Sequence, residues 1–164
     1  MDQKLDNNQF LGMIESPLGR IHILYTTEGI KALNFNEITL DNTIDKSDYQ
    51  LFNKINNEIK EYFQSQLLTF SIPLLPEGTP FQKLVWNELL KIPFGTTCTY
   101  QELAIRLGGK EKTRAVATAV AKNPILILIP CHRVIGTNGK LTGFSAGLDR
   151  KRLLLGLEGN TMNE

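Results

Sequence analysis

The sequence predicts an α+β protein, a small antiparallel sheet with one helix followed by a mainly helical region. Three observations predict it. Short strand-like runs near the N-terminus are separated by Pro/Gly turns, and apolar residues between 51 and 63 recur at helical spacing. In the C-terminal half, two Thr-x-x-Gln/Glu signatures each open a helix. A chain of 164 residues with 41% hydrophobic content can hold one ordinary domain or two small ones sharing an interface.

The elements follow in order. Phe10 to Ser16 reads as a strand that turns at Pro17-Leu18-Gly19 into a second, Arg20 to Thr26. Thr27-Glu28-Gly29 turns again into a third, Ile30 to Phe35. His22 falls inside the second strand pattern, where a structural role is expected. From Ser47 to Gln64, the residues Leu51, Phe52, Ile55, Ile59, Tyr62 and Phe63 share one helix face. Leu67 to Ile72 is expected as a further strand. The connector Pro73 to Gly78 has no periodicity and divides an N-terminal α/β domain, 1–76, from a C-terminal domain, 77–164.

Thr79 caps the next helix, with Pro80 in its first turn and Gln82 closing a capping box. Phe81, Leu84, Val85 and Leu89 supply the buried stripe, and Trp86 is expected to pack. After a break at Ile92-Pro93-Phe94-Gly95, Thr99 and Glu102 form a second capping box for a helix that stops at Gly108-Gly109. Thr113 is expected to cap a third helix, Arg114 to about Ala121, ended by Asn123-Pro124. Two short helices joined by a Gly-containing turn read as a helix-turn-helix of winged-helix type. Small residues at Ala115, Ala117, Ala119 and Ala121 let the third helix approach another surface closely; a tight helix contact and a nucleic acid both fit.

Composition excludes several classes. The longest apolar run, Ile125 to Ile129, is far too short to span a bilayer. Met1 to Asn8 is polar and partly acidic, unlike a secretory signal. A conspicuous free cysteine without an export signal argues for a reducing, cytoplasmic setting. Two Cys and two His, widely scattered, offer no zinc-type spacing. Gly109-Lys110 lacks the Ser/Thr of a phosphate loop, and no dinucleotide fingerprint occurs. No metal, cofactor or membrane is therefore expected, and the protein reads as a monomer. The net charge of +1 hides an asymmetry: residues 1–105 carry 8 Lys/Arg against 13 Asp/Glu, whereas 106–164 carry 10 against 4. The basic half suits a phosphate backbone, although an ordinary dipolar surface has the same signature.

Chemistry centres on Pro130-Cys131-His132-Arg133-Val134, set where the β-like run Ile125 to Ile129 ends. A thiol is a weak nucleophile until a base or a positive charge raises its thiolate fraction, and His132 is the nearest base by sequence. A buried, inert Cys beside a structural His fits the pair equally well. Further blocks decide between these readings. They are Thr79-Pro80-Phe81-Gln82, Ile92 to Thr97, Tyr100-Gln101-Glu102-Leu103-Ala104, Arg114-Ala115-Val116-Ala117, Asn123-Pro124, Leu141 to Leu148 and Leu157-Glu158-Gly159. In this order they resemble the O6-alkylguanine-DNA alkyltransferase family, also called methylated-DNA–protein-cysteine methyltransferases.

The resemblance implies direct transfer of an alkyl group from O6-alkylguanine in double-stranded DNA to Cys131, and the same for O4-methylthymine. His132 would take the thiol proton through a water, and Glu158 would orient and charge-balance His132. Tyr100 would donate toward the guanine ring. Ser145 would bond the O6 side, and the carbonyls of Val134 and Cys131 would receive the exocyclic amine. Asn123 would brace the active-site turn. Because the target carbon is inaccessible in stacked DNA, the nucleotide must be extruded. Arg114 would enter the stack, on a minor-groove helix with Thr113, Ala115 and Ala117. Phe144 stands where relatives often have Tyr, and Leu126 replaces a second proline of some relatives. Three other functions compete: a lesion-binding relative without transfer, a Cys-His-Glu hydrolase, and a helix-turn-helix regulator. Cys131 speaks against the first. Repeated turnover would mark the second, and preference for one operator the third.

Overall fold

The computed structural model describes residues 9–39 and 49–160. Three strands, β1 (Phe10–Ser16), β2 (Gly19–Thr26) and β3 (Gly29–Asn34), form an antiparallel meander in the order β1-β2-β3. Register follows the turns: Ser16 faces Gly19, and Thr26 faces Gly29. Alternation places Phe10, Ile14, Ile21, Ile23 and Tyr25 on the buried face. Against that face lies α1 (Tyr49–Phe63), whose buried Ile55, Ile59 and Tyr62 keep the helical spacing. The start of the expected helix, Ser47 and Asp48, lies outside the described residues, as does Met1 to Asn8.

The C-terminal half contains α2 (Pro80–Leu89), β4 (Cys98–Thr99), α3 (Tyr100–Arg106), α4 (Thr113–Ala121), β5 (Val134–Ile135) and α5 (Leu148–Leu157). Both capping boxes form, Thr79 with Gln82 and Thr99 with Glu102. Trp86 is buried and donates from Nε1 to the Ala119 carbonyl at 2.9 Å, tying α2 to α4. Helices α3 and α4 pack on each other across a turn at Gly108, whose φ of +126 suits glycine. β4 and β5 pair in parallel, Cys98 with Val134 and Thr99 with Ile135, which brings the start of α3 beside the Cys131 segment. Among the described residues no helix is long and apolar enough to cross a membrane.

Four expectations are corrected. Leu84, placed in the buried stripe of α2, is exposed, and Trp86 takes the buried position beside Val85 and Leu89. Leu67 to Ile72 is not a strand. After α1 the chain turns through Ser65 at φ +58, Ser71 is held by Glu58, and pairing begins only at Leu74, which bridges Ile30. The run Ile125 to Ile129 is buried but is not a strand either. Ile125 makes one bridge to Leu33, and the chain then coils through Ile127 at φ +71. Asn123 imposes the coil by donating to Ile129 O at 2.8 Å and accepting from Ile125 N at 3.0 Å. Finally, Thr113 is the first residue of α4, not its cap. A 3₁₀ turn, Lys110–Lys112, runs straight into the helix, and the Thr113 hydroxyl donates back to Lys110 O.

Candidate active site

Asn123 also determines where Cys131 sits. With the coil closed, Ile129 O receives Cys131 N at 2.8 Å, and Cys131 to Arg133 form a single 3₁₀ turn. Consecutive residues of such a turn project differently. Cys131 lines a cavity of about 810 Å³, whereas His132 is fully buried with Nε2 2.8 Å from Glu158 Oε1. Glu158 reaches it from the C-cap of α5.

The Glu158 carboxylate is densely bonded. Arg133 forks onto it, Nε to Oε2 at 2.9 Å and Nη2 to Oε1 at 2.9 Å, and Nη1 donates to Ile92 O at 2.7 Å. Tyr62 donates its hydroxyl to Oε1 at 2.7 Å. Burial alone raises this carboxyl, but the bonds from His132 and Arg133 outweigh it and hold it down at about 2. An ionised carboxylate only accepts, so His132 carries its proton on Nε2 and its lone pair on Nδ1. Nδ1 is buried and has no hydrogen-bond partner among the described residues. Burial lowers the His132 pKa, with the Glu158 bond pulling the other way, so the resting imidazole is neutral.

Cys131 is a resting thiol. Burial pushes it up to about 11, against the opposing effects of the Asn123 side chain and the Lys151 charge. Lys151 is itself buried and lowered to about 8 by desolvation, with the proximity of Cys131 opposing the shift. It donates to the carbonyls of Val134, Thr142 and Gly143 at 2.6, 3.0 and 3.2 Å.

The structure brings Tyr100, Thr113, Arg114, Ala117, Cys131 and Ser145 to one cavity, which Phe144 also lines. Tyr100 donates to Thr142 O at 3.1 Å, and Arg114 is exposed on α4. Ala115 is exposed on the same helix outside the cavity lining. Asn123, His132, Val134 and Glu158 stand behind the wall, with the Val134 carbonyl held by Lys151. Sequence reasoning missed Arg133, Lys151 and Tyr62. Lys151 did leave a signal: it shares a helical stripe with Leu154, Leu155 and Glu158, where an exposed lysine is not expected.

The 6-O-methylguanine DNA methyltransferase family matches in two parts, its DNA binding domain at residues 80–160 and its ribonuclease-like domain at residues 10–76. A methylated-DNA–protein-cysteine methyltransferase of Methanosarcina acetivorans is 44% identical over 92% of this chain and 99% of that protein. The chain belongs to this methyltransferase family. One of Haemophilus influenzae, with the same description, is 43% identical over 87% of this chain and 82% of that protein. The family fold is shared as well: Mycobacterium tuberculosis OGT in complex with DNA superposes with a TM-score of 0.84 at 36% identity, covering 92% and 93% of the two chains.

Proposed function

We propose that this chain repairs DNA by transferring the methyl group of O6-methylguanine to Cys131 Sγ, once per molecule. The observation that carries the reading is the join between Cys131 on the cavity wall and the buried His132–Glu158 pair behind it. The thiol proton passes through a water to His132 Nδ1. Sγ then attacks the methyl carbon in line with O6, the S–C bond forms as the C–O6 bond breaks, and O6 keeps the electron pair. Guanine takes up one proton at N1, which balances the one lost by the thiol. Proton donation near the base makes O6 a better leaving group, and Tyr100 and Ser145 line the cavity where they can supply it. The methyl comes from the substrate, so the step calls for no acceptor cofactor or metal.

The methylated nucleotide enters by extrusion from the duplex, with Arg114 filling the gap it leaves. Support comes from the placement of this arginine, exposed on α4 and lining the cavity mouth, beside small residues suited to a minor groove. O4-methylthymine presents the same alkylated oxygen and is the expected second substrate. Residues 77–164 carry DNA binding and transfer, and residues 1–76 support them. The reaction ends at a thioether, whose sulfur is a poor leaving group.

Titration against excess O6-methylguanine duplex, followed by mass spectrometry, tests this. The expected result is a plateau at one methyl per active molecule, carried on the peptide containing Cys131. Steady release of repaired DNA past equivalence, or a methyl on Cys98, overturns it.

A further inference from the structure

Tyr62 lies on α1, in the N-terminal half, yet its hydroxyl is 2.7 Å from Glu158 Oε1, 96 positions away in sequence. That oxygen is crowded, since it also receives His132 Nε2 at 2.8 Å and Arg133 Nη2 at 2.9 Å. The phenol ring is fully buried and held in place. Phe63 meets it edge-on at 5.4 Å and Phe94 at 6.0 Å, with Phe70 tilted against it at 5.5 Å. Phe94 in turn lies 5.8 Å from the Arg133 guanidinium. A phenylalanine would fill this space as well; what the tyrosine adds is a hydroxyl aimed at the carboxylate behind the thiol.

We propose that Tyr62 is a positioning residue that restrains Cys131 in the resting protein, by sharing Glu158 Oε1 with His132 and limiting how strongly the carboxylate stabilises a charged imidazole. The proposal rests on the transfer chemistry proposed above. Donors on one oxygen compete for the same lone pairs, so each additional bond weakens the pull on the others. Proton transfer from Cys131 to His132 creates a thiolate and an imidazolium, and the carboxylate is the charge that favours this pair. The charged and titratable groups around the Cys131–His132 pair are Arg133 on the same turn, Lys151 on α5 and Glu158 at its end, Tyr62 on α1 and Tyr100 on α3. Arg133 and Lys151 disfavour a charged His132; Glu158 favours it. Burial and the Glu158 charge raise the Tyr62 phenol far above its ordinary value, so it remains a donor. The consequence is a thiol kept protonated in the resting protein and guarded against stray electrophiles.

The test is alkylation of Cys131 by iodoacetamide, which needs no DNA, followed by mass spectrometry from about pH 7 to 12, a range that covers the bend of the profile. In Tyr62→Phe the acid limb of the rate profile should move at least about half a pH unit lower, making reaction on that limb about threefold faster. In Glu158→Gln there is no carboxylate charge to share, and adding Tyr62→Phe should leave the profile in place. An unmoved limb in a folded Tyr62→Phe variant, a uniform loss of rate, or an equal shift in the Glu158→Gln background overturns the proposal. The unmodified protein supplies a second measurement by NMR. The Tyr62 hydroxyl proton should exchange slowly and His132 should be protonated on Nε2; a rapidly exchanging hydroxyl overturns the proposal without any variant. If the unmodified protein takes no methyl from duplex while the Tyr62→Phe limb still moves, the repair function fails and the restraint on the thiol stands.

Discussion

Lys151 Nζ donates a 2.6 Å hydrogen bond to the carbonyl of Val134. Its other two bonds go to the carbonyls of Thr142 and Gly143, so one buried ammonium fastens the strand after the Cys131 turn to the loop forming the facing wall. The same ammonium lies 5.8 Å from the centroid of the Tyr100 ring. Lys151 thus ties the segment after Cys131 to the loop of the facing wall.

Replacing Lys151 with Met keeps the length of the side chain and removes the donors. Three carbonyls lose a partner, which should cost about 2 kcal/mol or more in urea unfolding. Methyl transfer should slow at least tenfold, through a looser wall and the loss of a positive charge near Cys131. A variant that loses stability but transfers at the original rate would confine Lys151 to a structural role.

Cys131→Ser should bind methylated duplex as the original does and transfer nothing. The hydroxyl of serine is a far poorer nucleophile than a thiolate, while α4, the helix proposed to meet DNA, is a separate element. Gel-shift and methyl-release measurements on one preparation separate the two properties. Appreciable demethylation by the serine variant would remove Cys131 as acceptor.

Arg114→Ala should slow repair in duplex DNA roughly tenfold or more, and reaction with free O6-benzylguanine much less. A free base needs no extrusion, so the arginine has no gap to fill. Equal losses on the two substrates count against insertion of Arg114 into the stack.

Acid should destabilise the protein through Glu158. Its folded pKa, about 2, lies below the usual 4.5, so the carboxylate contributes stability that is fully present above about pH 4.5 and lost as pH falls toward 2. The shift corresponds to about 3 kcal/mol. Glu158→Gln should flatten the unfolding free energy across that window while lowering it at neutral pH. An unchanged slope, read by urea unfolding at several pH values, would be the contrary result.

Much of the fold is a local matter, and the chain states it locally. Pro17-Leu18-Gly19 and Thr27-Glu28-Gly29 separate β1, β2 and β3 because those turns need few long-range partners. Thr79 with Gln82, and Thr99 with Glu102, close bonds within four residues, so the starts of α2 and α3 are legible before any folding. Cys131 and His132 are likewise adjacent in the chain; thiol and imidazole chemistry makes them candidates, and the further blocks of family resemblance decide for them.

The tertiary structure decided what depends on distant partners. An apolar run such as Ile125 to Ile129 suits a strand or any buried segment, and it coils because Asn123 bonds both ends of it. Arg133 and Tyr62 look like ordinary residues of a turn and a helix stripe until Glu158 meets both, 25 and 96 positions away. Lys151 lies on a stripe pattern that does not say which carbonyls will be within its reach. Burial pushes the Tyr62 phenol up and the Lys151 ammonium down, and burial exists only once the two halves of the chain close over the Glu158 carboxylate.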